Sequence, residues 1–146
     1  MSNTLPSEII KDLLVADGYV FGGIADWAVY IGYKPPEPKN IIVLSDTPGA
    51  SPDPKWRIDY PTVQADIRCN TSSYKVGSNH MRRIKELCLG ITPYDHGNDR
   101  VVSISLLGEP GYAGLDEEGM AVFVVNIQMI LMPEGNTGDH REDLPA

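Results

Sequence analysis

From Tyr60 to Cys69 the chain alternates without a break. Pro61, Val63, Ala65, Ile67 and Cys69 fall on one side of an extended backbone, and Tyr60, Thr62, Gln64, Asp66 and Arg68 fall on the other. Successive side chains of a strand point to opposite faces, so this run reads as a β-strand with one face buried and one solvated. A second run, Met120 to Met132, turns Ala121, Phe123, Val125, Ile127, Met129 and Leu131 inward in the same way. Two long half-buried strands commit the chain to a sheet that needs a covering layer on one side.

That layer is legible in the sequence. From Ser72 to Leu89, Tyr74, Gly77, Met81, Ile84 and Cys88 recur at helical spacing, while Lys75, Asn79, Arg82, Arg83 and Glu86 fill the rest of the circumference. This predicts an amphipathic helix that stops at Gly90. A shorter helix is expected from Leu5 to Ala16, with Thr4 or Ser7 as N-cap, Pro6 in the first turn and Gly18 past its end. Further strands are expected near residues 26–32, 40–46 and 101–107, where aromatic and β-branched residues cluster. The stretches "KPPEPK" and "GEPGYAGLDEEG" read as connections, the first stiff and the second a hairpin or projecting loop. The expected fold is therefore α+β: a mixed or antiparallel sheet of about five strands, a long amphipathic helix packed on one face and a short N-terminal helix. Residues 1–133 are expected to form one domain, and the acidic segment 134–146 a flexible tail.

Charge and motif content narrow the chemistry. A formal net charge of −8 over 146 residues argues against a dedicated nucleic-acid binder, which needs clustered Lys and Arg for phosphate contacts. No apolar run reaches the length of a membrane span, and the N-terminus has no basic-then-apolar leader, so synthesis in the cytoplasm and no membrane partner are expected. Cys69 and Cys88 lie on the apolar faces of the predicted strand and helix, as small core residues rather than activated thiols. His80, His96 and His140 lack metal-ligand spacing, and no phosphate loop or nucleophile elbow occurs. No metal and no cofactor is expected.

Asp53 and Asp66, with Arg68 two residues on, loosely imitate the carboxylate pair of a metal-dependent nuclease or hydrolase. A guanidinium is a poor substitute for the lysine of such sites. A solvated cross-strand pair is the plainer account of Asp66 and Arg68. Arg82, Arg83 and Lys85 form one basic cluster, readable as a solvated helix face or as a partner contact.

What remains is the ribbon "DTPGASPDPKWRIDYPTVQ" at residues 46–64, stiffened by Pro48, Pro52 and Pro54 and carrying Trp56 and Tyr60, residue types enriched at interface cores. The order of "VLSDTPGASPDPKWRIDYPTVQADIR", the helix "YKVGSNHMRRIKELCLGI" and "LLGEPGYAGLDEEGMAVFVVNIQMILMP" resembles the phage tail terminator family, also described as phage minor capsid proteins. The resemblance spans residues 40–133. It implies a non-enzymatic structural subunit of the virion, sited at the head–tail junction. Such a subunit forms a homo-oligomeric, typically hexameric, ring on the completed tail tube, stops tube polymerisation and provides the head-attachment surface. The implied partners are sister copies, the tail tube protein and a head-side connector protein, with DNA only passing through the lumen. A head–tail connector adaptor is the related alternative. The residues expected at protein interfaces are Asp53, Lys55, Trp56, Arg57, Asp59, Tyr60, Arg82 and Arg83.

Overall fold

A computed structural model describes residues 5–132 apart from 38, 54–57 and 98, with the backbone alone at 49–53. In chain order the elements are α1 (Pro6–Ala16), β1 (Ala28–Ile31), β2 (Ile41–Asp53), β3 (Ile58–Cys69), α2 (Tyr74–Leu89), β4 (Tyr94–His96), β5 (Asp99–Leu106), β6 (Gly111–Leu115) and β7 (Ala121–Met132). A short 3₁₀ turn, Thr71–Ser73, leads into α2. The strands form one mixed sheet in the order β1-β2-β3-β7-β5-β4, and β6 also pairs with β7. The β1–β2 pair is parallel and every other pair antiparallel.

The class is the expected α+β, but the sheet has seven strands rather than about five. The two unforeseen strands are β4 and β6. Each is short, and neither shows a buried alternation: β6 is exposed at four of its five positions. Both exist because a neighbour offers hydrogen bonds, not because their sequences demand extension. Of the "GEPGYAGLDEEG" stretch, expected as a hairpin or a projecting loop, Gly111–Leu115 is a strand that forms a hairpin with Ala121–Val124.

The larger correction concerns β2. The expected strand at 40–46 runs on to Asp53, so Pro48 and Pro52 lie on one arm of a long antiparallel hairpin with β3. The register shifts between Thr47 and Ala50 and again between Ala50 and Asp53. Proline has no N–H to give a ladder, and bulges at an outer strand accommodate it.

β3 and β7 make the centre of the sheet, in register from Thr62↔Gln128 to Cys69↔Ala121. Their inward rows, Val63, Ala65, Ile67 and Cys69 with Ala121, Phe123, Val125, Ile127, Met129 and Leu131, are buried beneath both helices. The α2 stripe of Gly77, Met81, Ile84 and Cys88 is buried as its spacing predicts. Helix α2 lies tight against the sheet at Gly77, where a Cβ would stand 2.7 Å from Cys69 Sγ and 3.0 Å from a Phe123 ring carbon.

Helix α1 docks through Ile9, Ile10 and Leu14. Its N-cap is Leu5 rather than Ser7, and Thr4 lies outside the described residues. Leucine has no side-chain acceptor to offer. Instead, Asp46 of β2 accepts hydrogen bonds from Ser7 N (2.9 Å) and Ser7 Oγ (2.8 Å), which places a carboxylate at the positive end of the helix dipole. Farther along, Asp12 meets His96 Nε2 at 2.6 Å, and His96, on β4, thereby ties α1 to the sheet.

The second face of the sheet departs from expectation as well. Asp66 and Arg68 are not a solvated pair but buried, at 8% and 4% exposure. The β1–β2 connector folds over them. Arg68 Nη2 donates to Pro35 O at 2.8 Å and Nε to Lys39 O at 3.1 Å, while Asp66 faces Lys34 Nζ at 3.2 Å and accepts from Gln64 Nε2 at 2.8 Å. The stiff "KPPEPK" stretch is therefore a partial cover for the face that alternation alone leaves to water.

Candidate assembly interface

Hydrogen bonding in the sheet shows where the covering stops. β1 pairs with β2 only over Ile41–Leu44, so among the described strands nothing flanks the outer edge of β2 from Ser45 to Asp53. On the opposite margin β4 pairs with β5 only through Val101, which leaves the outer edge of Val102–Leu106 unpaired by any described strand. Unpaired strand edges invite other chains, and Pro48 and Pro52 blunt the β2 edge against indiscriminate pairing. Between these margins the register lines up Ser45, Gln64 and Asn126 in one row, and Thr47, Thr62, Gln128 and Ser105 in the next. These two rows carry no charge, in a chain whose formal balance is −8.

Of the residues expected at interfaces, those described lie on two parts of the fold, the β2–β3 hairpin and α2. Asp53 ends β2 opposite Ile58. Lys55, Trp56 and Arg57 lie outside the described residues. Asp59 is exposed opposite Leu131, and Tyr60 is half-buried opposite Ala50. The basic cluster on α2 is largely neutralised: Arg83 makes a two-point ion pair with Asp17, and Lys85 pairs with Glu109. Arg82 is exposed beside that second pair. The hydrogen bond and charge of Arg83 hold the Asp17 carboxyl below its ordinary value.

Asp53 and Asp66 do not share a site. Asp53 is in register with Ile58 and Asp66 with Val43, which separates them along the hairpin by about 26 Å at the usual rise per residue. Among the described residues no group of three His, Cys, Asp or Glu converges to hold a metal ion. Burial raises both thiols, Cys88 to about 12, consistent with their place in the core. No helix among the described residues is long and apolar enough to cross a membrane.

One cluster escaped the sequence reading. Tyr19, after α1, Trp27, before β1, and His80 on α2 come together around a groove of about 490 Å³. The His80 and Trp27 ring centroids are 4.2 Å apart, and His80 Nδ1 is hydrogen-bonded to the Tyr19 hydroxyl at 2.6 Å. Trp27 has φ +63, the only non-glycine residue with positive φ among those described. A bulky residue rarely adopts that conformation. Its backbone N–H donates to Asn40 O at 2.6 Å, which ties the Trp27 main chain to the start of β2. Nothing in the spacing of residues 19, 27 and 80 announces this contact, because three separate elements supply it.

Burial of His80 in this cluster disfavours its charged form and lowers its pKa from the ordinary 6.5. Asp17, Asp26 and Arg83 line the same groove. Below pH 6.5 the unfolded chain takes up a proton that folded His80 refuses, so this contribution to stability is complete above 6.5 and lost as pH falls through the lower folded value. We expect the urea midpoint to fall between pH 7 and pH 5, and the fall to be smaller in His80→Gln. An equal pH dependence in both proteins would show that His80 is not the group responsible.

A small α+β protein with a curled, open-edged sheet and both helices on one face is the class these features define. The chain belongs to the bacteriophage tail terminator protein family, whose model matches residues 15–132. The match leaves out nearly all of α1 and closes with the last residue of β7. A search of curated proteins gives no match. The family is a structural one, which makes the chain a component of the phage tail.

Proposed function

We propose that this protein forms a ring on the end of the completed tail tube, halts addition of tube subunits and presents the surface to which the head attaches. The family match over residues 15–132 carries this reading. The sheet margins support it, since β2 beyond Leu44 and β5 beyond Val101 are edges that neighbouring subunits can cover. A closed cyclic assembly covers such edges without unlimited growth. The mechanism is steric: a ring seated on the last tube layer occupies the surface on which the next layer would dock. The partners in this reading are sister copies, the tube protein below and a head-side connector above. The negative balance of the chain keeps passing DNA from adhering to the lumen.

Assembly without the protein tests the proposal. Tails made in its absence are expected to vary in length and to fail to join heads, and adding the purified chain is expected to restore both, as seen by negative-stain microscopy. Tails of uniform length that join heads normally without it would refute the role.

A further inference from the structure

The Tyr19–Trp27–His80 groove and the β2–β3 hairpin end stand at opposite ends of the subunit. Trp27 is tied to Asn40, immediately before β2 begins, whereas Asp53 and Ile58 close the hairpin at the other end. From Ile41 to Asp53 is about 40 Å of strand at the usual rise, somewhat shortened by the two bulges. The segment joining Asp53 to Ile58 contains Lys55, Trp56 and Arg57. Residues 54–57 extend at most about 14 Å even when fully drawn out. Their own groove is out of reach, and only the groove of another copy is open to them.

The groove has the chemistry to receive them. Its lining is aromatic, Asp26 brings a carboxylate to its wall beside the Asp17–Arg83 ion pair, and Val76, in the same lining, is 45% exposed. Val20 and Ile24, on the loop beside it, are 54% and 91% exposed, an apolar rim that no described part of the chain covers. A half-buried aromatic slot edged by the Asp26 carboxylate suits an indole flanked by cations, through ring packing, cation–π contact and ion pairing. The positive φ of Trp27 is strain of the kind that persists where surrounding structure holds a side chain in place for contact.

We propose that the hairpin end of one copy, through Lys55, Trp56 and Arg57, inserts into the Tyr19–Trp27–His80 groove of the next. The contact joins unlike surfaces, so it is heterologous, and repeated round an axis it closes a ring. This rests on the ring assembly proposed above and names the contact that makes it.

Two variants of the full chain test it. Trp56→Ala removes the inserted ring. Val76→Arg, at an exposed helix position that tolerates arginine, fills the mouth of the groove with a bulky cation. Each alone is expected to raise the concentration needed for ring formation by about 30-fold, the effect of losing a central interface aromatic. Mixed together they are expected to give a discrete dimer and nothing larger in sedimentation velocity, because one intact hairpin end meets one intact groove and the remaining pair is defective. Circular dichroism and urea midpoints matching the parent exclude misfolding of either variant. Wild-type rings without a mixed dimer, or rings from either variant at the parental concentration, overturn the insertion and leave the ring reading standing. A mixed dimer without wild-type rings overturns ring closure and leaves the insertion standing. Neither rings nor a mixed dimer overturns the insertion.

Discussion

Gly77→Ala is expected to destabilise the protein by up to about 2 kcal/mol although alanine is the better helix former. The substitution gains about 1 kcal/mol of helix propensity. Against this, the new methyl would stand 2.7 Å from Cys69 Sγ and 3.0 Å from Phe123, and overpacking of a close-packed core costs about 1–3 kcal/mol. Cys69 is fully buried and Phe123 nearly so, so neither has free space into which to retreat. Gly77→Val, with two more carbons in the same place, should cost more, about 3 kcal/mol. Urea denaturation of the single variants and of Gly77→Ala with Cys69→Ala decides the cause. The Cys69 truncation removes the nearest atom, so the double variant should be more stable than the sum of the two singles predicts. Strict additivity would mean that α2 shifts outward to admit the methyl and that the Gly77 contact does not set the helix-to-sheet distance.

The second large effect belongs to Arg68. Arg68→Met keeps the volume of the side chain and removes the donors that hold Pro35 O and Lys39 O. Buried carbonyls left without a partner cost about 1–3 kcal/mol each, offset in part by no longer burying a guanidinium. A net loss of about 2–4 kcal/mol is expected. It should appear in hydrogen exchange as faster opening of β1, because the connector that leaves β1 is the segment released. A variant as stable as the parent, with unchanged protection of Val29 and Ile31, would show that the connector is held by other contacts.

Arg68 also marks how far sequence alone leads. Alternation from Tyr60 to Cys69 placed it correctly on the second face of β3, because period-two patterning records which side of a strand a residue takes. It did not tell what lies over that face, since the covering connector is rich in proline and charge and looks like a surface loop. The same limit applies to β2. Pro48 and Pro52 argue against a strand in isolation, yet the partner β3 extends the pairing to Asp53 through two bulges. The α2 stripe was readable because one helix carries all of it, whereas Tyr19, Trp27 and His80 come from three elements and meet only in the folded chain. Of the interface residues, the order of short motifs around the hairpin pointed to the family. The ion pair that occupies Arg83 has its partner, Asp17, beyond the end of a different helix.

The strand order carries a consequence for how the subunit comes into being. β7, last to be synthesised of the described strands, pairs with β3, β5 and β6 and so joins the β2–β3 hairpin to the β4–β5 pair. Loop closure over the whole of α2 and the strands that follow must precede the reward of joining β3 to β7, and such non-local pairing is slow. Until β7 has been made, the β2–β3 hairpin and the β4–β5 pair have no strand between them. The sheet is therefore completed only when β7 enters between two halves that were made before it.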